Sequence, residues 1–186
     1  MKKNLIVLLI LLTSTIANAQ FIKEKSINAQ IGYGITFPSD STDDFADEGF
    51  FAQSELVLKI TNWVDFRPYA GFIITNSNGK DLDGNPTNQI AESQAFLLGV
   101  KSRIRIPIPY VAPYAEVGIG TSIGKFRTLT RFYNFDKTGI IYHIPFSLGL
   151  ELGRKHNVDI SFTYFYQPYV KQYVGAFAAG LTFPLN

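Results

Sequence analysis

From residue 26 almost to the end of the chain, apolar and polar side chains alternate one by one. After residue 19 no apolar stretch is long enough to cross a membrane as a helix. Period-two alternation means strands with two unlike faces. Two all-β architectures accept eight such strands. A soluble cup turns its apolar face inward, and a membrane barrel turns it outward against lipid. An open sheet in lipid is excluded, because only helices and closed barrels satisfy their backbone groups there.

The alternation runs over 26–37, 50–60, 64–76, 92–106, 111–124, 140–153, 158–167 and 173–185. The fourth run is the clearest. Gln94, Phe96, Leu98, Val100, Ser102, Ile104 and Ile106 share one face, and Lys101, Arg103 and Arg105 the other. Each run suffices to cross a bilayer when tilted, which takes roughly 9–11 residues. The pattern predicts an all-β fold, an eight-stranded antiparallel up-and-down transmembrane β-barrel with both termini on one side. The connections 38–49, 77–91 and 125–137 are long, 61–63, 107–110 and 154–157 are short, and 168–172 is intermediate. Asn78-Gly79 and Asp83-Gly84 are turn formers. Long loops on one side and short turns on the other place the long side outside the cell.

The first 19 residues read as a secretory signal. Met1-Lys2-Lys3 is a basic start, 5–12 (LIVLLILL) an apolar run, and Ala17-Asn18-Ala19 a small-x-small cleavage pattern. The run is too short to anchor the chain, since spanning takes about 20 apolar residues. The barrel domain is expected over 20–186, in the outer membrane of a Gram-negative bacterium. Removing Lys2 and Lys3 takes the formal charge from +2 to 0, which argues against nucleic-acid partners. With no cysteine, neither a lipoprotein anchor, disulfides nor thiolate metal sites are available.

Four features orient the apolar face toward lipid. The polar face is crowded with small residues such as Gly32, Gly34, Gly71, Gly118, Gly120 and Ser147, which suit the narrow lumen of eight strands. Aromatics such as Tyr33, Trp63, Phe66, Tyr110, Tyr142 and Tyr166 sit toward strand ends, as interfacial girdles do. The loop lengths are asymmetric. Gly32-Tyr33-Gly34 lacks the Gly-x-Trp of lipocalins, and the only tryptophan is Trp63.

With these residues the chain resembles the small outer-membrane β-barrel families typified by the OmpA barrel and OmpX. In such proteins the last strand carries a recognition signal for the barrel assembly machinery. Gly180, Phe183 and Leu185 occupy its glycine and hydrophobic positions here. Ala179 stands at its polar position, and Asn186 ends the chain where an aromatic is common. The resemblance implies that machinery as a partner during biogenesis.

The polar face also carries Glu55, Lys59, Arg67, Lys101, Arg103, Arg105, Glu116, His143, Glu151 and Asp159. Bare charges in a closed lumen are unfavourable, so they are expected to pair. A salt-bridged structural plug is expected over a selective pore, as the OmpA resemblance implies. His143, Ser147 and Glu151 suggest a hydrolase. Spaced four apart on one strand, they stand roughly 13 Å apart and cannot form one triad. Outer-membrane lipid A deacylases have a His-x-Ser spacing, whereas His143 is followed by Ile144-Pro145. His156 reads as a solvated turn residue.

The first long loop holds Asp40, Asp43, Asp44, Asp47 and Glu48. It lacks the regular ligand spacing of a Ca²⁺ loop and reads as a solvated acidic loop. The third long loop carries Lys125, Arg127, Arg131 and Lys137 among aromatics, a candidate contact for lipopolysaccharide phosphates or for the acidic loop. No catalytic, cofactor or metal residues are expected. The expected protein is a monomeric, non-enzymatic outer-membrane barrel among lipids and lipopolysaccharide, serving envelope integrity, adhesion or ligand contact. A lipid A-modifying enzyme and a narrow small-solute channel are the alternatives.

Overall fold

The computed structural model describes residues 22–38, 46–81, 83–130, 134–170 and 172–185. Eight strands follow one another: β1 Glu24–Pro38, β2 Asp47–Lys59, β3 Val64–Asn76, β4 Ile90–Arg105, β5 Val111–Leu129, β6 Asn134–Leu152, β7 Val158–Gln167 and β8 Gln172–Leu185. Each pairs antiparallel with its chain neighbours, and β8 closes onto β1. β3 and β7 span the residues that the alternation predicts.

β5 and β6 run further than expected. Lys125 and Arg127 stand on β5 and Lys137 on β6, in place of the expected loop over 125–137. The period continues through both extensions, but charged residues replace apolar ones on the outer face. Asp47 and Glu48 likewise belong to β2. Asp47 is fully buried, and its Oδ2 accepts the Ala91 N–H at 2.6 Å, so it is no solvated loop residue. Asp40, Asp43, Asp44 and Arg131 lie outside the described residues.

The register aligns the outward residues into rows around the wall. One row joins Ile31, Ala52, Phe72, Phe96, Ile123 and Ile140. Of these, Ile31 is 64% and Ile140 66% exposed to the surroundings. A belt of this kind is stable only against lipid. Trp63, Phe66, Tyr110 and Phe183 rim it on the short-turn side, and Tyr33, Phe37, Tyr142 and Tyr166 on the other. The outward row next to the belt on the loop side contains Gln94, Lys125 and Thr138, and the one beyond it Glu92, Arg127 and Asp136.

The lumen is not polar throughout, as the sequence suggests. Toward the long loops it is filled by a cluster including Phe51, Ile73, Leu97, Phe126, Ile141, Phe165, Val170 and Val174. Phe51 and Phe165 pack with ring centroids 6.1 Å apart. Apart from Asp47 at the loop end, the buried charges occupy the half toward the short turns.

Candidate functional site

The charged half of the lumen is a single connected network. Arg103 on β4 faces Asp65 on β3 and Glu116 on β5 in one row of the register. Its Nε donates to Glu116 Oε1 at 2.6 Å, and its Nη1 to Glu151 Oε1 and Asp159 Oδ2, both at 2.7 Å. Arg67 reaches Glu55 at 3.0 Å, Asp65 at 2.9 Å and Glu151 at 3.3 Å. Lys101 bridges Glu55 and Glu116. Arg105 clamps Asp65 at 2.5 Å and Glu151 at 2.6 Å. These four cations meet five carboxylates, and Arg105, with 10% side-chain exposure, is the most exposed of the nine.

Pairing on this scale is what a low-dielectric interior demands, because each ion's desolvation must be offset by several charge-assisted bonds. Tyr114 adds a stacked wall, its ring centroid 3.5 Å from Cζ of Arg103 and its hydroxyl bonded to Asp159. Lys59 stands apart from the network. It pairs with Glu24 at 2.8 Å at the short-turn mouth. A recess of about 110 Å³ opens there, with Arg67, Arg105 and Glu151 in its lining.

Between the ionic and apolar halves lies a buried polar row. The register runs Tyr69, Gly99, Gly120, His143 from β3 to β6. The two glycines leave the phenol room to lie across the wall, and Tyr69 Oη meets His143 Nε2 at 2.5 Å. His143 Nδ1 meets Ser122 Oγ at 2.7 Å, and Gln167 Nε2 donates to Ser122 Oγ at 3.1 Å. Both ring nitrogens are thus occupied.

His143, Ser147 and Glu151 do not converge. Ser147 Oγ bonds Thr163 Oγ1 at 2.9 Å, and Glu151 is bound by three arginines. Among the described residues the His–Ser contact within hydrogen-bond reach is Ser122–His143, and both residues are fully buried. The sequence reading missed Asp65, Tyr69, Tyr114, Ser122 and Gln167. Strand parity places Asp65 beside Arg67, but the contacts of the other four depend on the register between strands.

The remaining candidates lie at the two ends. Lys125 and Arg127 are exposed on the outer wall, and Lys137 Nζ sits 5.3 Å from the Tyr169 ring centroid. His156, with φ +51°, bonds the Ile108 carbonyl through Nε2 at 3.0 Å. On β8, Gly180 faces inward against Gln30, while Phe183 and Leu185 face outward. Among the described residues no three His, Asp or Glu side chains converge as metal ligands would.

No protein-family model matches the sequence, and no curated protein matches it. Solved structures do. The crystal structure of Neisserial surface protein A matches with a TM-score of 0.60 at 12% identity, covering 87% of this chain and 97% of that one. The crystal structure of Ail, the attachment invasion locus protein of Yersinia pestis, matches at 0.51 and 16%, covering 87% and 99%. At these identities the likeness is one of fold. The chain folds as the small eight-stranded outer-membrane barrels do.

Proposed function

We propose that this chain is a non-enzymatic barrel of the Gram-negative outer membrane, exported on the signal peptide 1–19, which acts through its outer surfaces. One observation carries the reading: both halves of the lumen are filled, one by ion pairs and the other by Phe51, Phe126, Phe165 and their neighbours. A barrel of eight strands has little interior to spare, and here side chains occupy it. That speaks against a channel. The chemistry-bearing Ser122–His143 pair is sealed between the same two halves, so a lipid acyl ester has no route to it. That speaks against a deacylase.

What remains accessible is the wall and the strand extensions. Lys125 and Arg127 lie one and two rows beyond the apolar belt. There they meet lipid headgroups, where a cation pairs with lipopolysaccharide phosphate. Envelope integrity and surface contact both fit this arrangement.

Planar-bilayer recording tests the closed lumen. The refolded protein is expected to add no steady conductance, and ohmic steps lost in an R103E variant would favour the channel. The deacylase is tested by incubation with lipid A. Release of acyl chains that stops in S122A would favour the enzyme.

A further inference from the structure

The closed wall continues beyond the lipid belt as a three-stranded ribbon whose two edges are treated differently. β6 pairs with β5 from Leu129↔Asn134 down to Gly120↔His143. It pairs with β7 only from Ile144↔Tyr166 downward. Among the described residues, 134–143 of β6 therefore have a strand on one side and none on the other. Tyr169 packs against Tyr142 beside the lower part of this edge, with ring centroids 5.2 Å apart. Above it, from residue 134 to 140, every residue is at least partly exposed.

The β4 edge of the same ribbon is closed. Asp47 Oδ2 accepts the Ala91 N–H at 2.6 Å, and Thr75 Oγ1 accepts the Ser93 N–H at 2.9 Å. One edge has its donors capped by side chains, and among the described residues nothing caps the other in that way. An unpaired strand edge presents main-chain donors and acceptors that recruit another strand.

We propose that the β6 edge above Tyr169 is a docking site for an extended segment of a partner protein, which adds to the ribbon as a further strand. The chemistry of its occupant is set by the outer row Glu92, Arg127, Asp136. The next position in that row lies opposite Asp136, and a basic residue there continues the alternation of charge. A second copy in the same membrane is the poorer occupant, because parallel pairing is the less stable per residue. Its β6 runs the same way and offers only parallel pairing. A copy facing from another membrane could pair antiparallel, but full overlap sets Asp136 against Asp136 or Lys137 against Lys137.

The placement of this edge outside the cell rests on the function proposed above. A titration in detergent micelles reads the edge itself and is independent of that placement. The probe is a fluorescein-labelled peptide of residues 120–130 (GTSIGKFRTLT), which already supplies Arg127 opposite Asp136 on the other side of β6. Saturable anisotropy is expected. It should be lost when alternate peptide nitrogens are methylated, and weakened about tenfold when the peptide arginine is replaced by glutamate.

The D136K variant should prefer the glutamate peptide. D136N, expected to fold without introducing a new charge, should bind both peptides alike. Absence of saturable binding, binding indifferent to N-methylation, or protection from hydrogen exchange, without peptide, of those amides of 134–138 that point away from β5 would each overturn the proposal.

Discussion

Tyr69 and His143 lie three strands apart in one row of the lumen wall, and the two residues between them are Gly99 and Gly120. A Cβ at Gly120 would run into Tyr69 Oη and stand 2.6 Å from His143 Nε2. The bond between the two rings therefore requires a bare backbone beneath it. G120A is expected to lower the urea midpoint of the refolded barrel by more than Y69F does. Y69F leaves Nε2 of His143 without its partner, worth about 1–3 kcal/mol. A G120A barrel as stable as the wild type would contradict this.

Arg103 is the hub of the ionic half. R103M strips Glu116, Glu151 and Asp159 of a shared cation and should destabilise by about 3–5 kcal/mol, the range for breaking a buried pair. E116Q should be milder, because the amide oxygen still accepts from one of Arg103 and Lys101, and only the other loses its acceptor to the NH2 group. The temperature at which the folded band disappears on a detergent gel orders the three proteins.

The apolar half makes a separate prediction. F51A and F165A each remove a fully buried ring and should cost about 3–5 kcal/mol. The rings touch, so the double variant should lose less than the sum of the two, because the second truncation enlarges an existing cavity. Additivity within error in chemical denaturation would argue that the two rings are not packed together.

Strand number, order and facing were legible in the sequence because parity is a local property. Phe96 and Lys101 fall on opposite faces whatever the rest of the chain does. Two things were not legible in the same way. The upper parts of β5 and β6 keep the period, with Phe126 and Thr128 inside and Lys125 and Arg127 outside. A strand leaving lipid exchanges apolar outward residues for charged ones, and that exchange reads as a loop. Phe51 sits on the face of Gln53 and Glu55, yet its apolar character suggests the lipid side. The Tyr69–His143–Ser122 chain of hydrogen bonds lies beyond parity, since it exists only once the β3, β4, β5 and β6 registers are fixed.

Acid should loosen the loop between β3 and β4. Asp81 accepts the Asn85 backbone N–H at 2.7 Å and its side-chain amide at 3.1 Å. The Asn85 side-chain bond, more than any other contact, holds the Asp81 carboxyl below the ordinary aspartate value. A carboxyl with a lowered value contributes order that is complete above its unfolded value and lost as pH falls through the folded one. Amide shifts of Asn85 and Gly84 should therefore move only below the ordinary aspartate range. D81N should abolish that titration, and an Asn85 amide that still titrates in D81N would refute the assignment.

The central claim is that this wall spans a bilayer with its short turns at one interface, and the single tryptophan tests it. Trp63 lies in the turn between β2 and β3 and is 54% exposed to the surroundings. In vesicles of refolded protein its emission should be blue-shifted. Lipids brominated near the headgroup should quench it more strongly than lipids brominated at the chain end. Emission at the wavelength of tryptophan in water, indifferent to either lipid, would contradict the account.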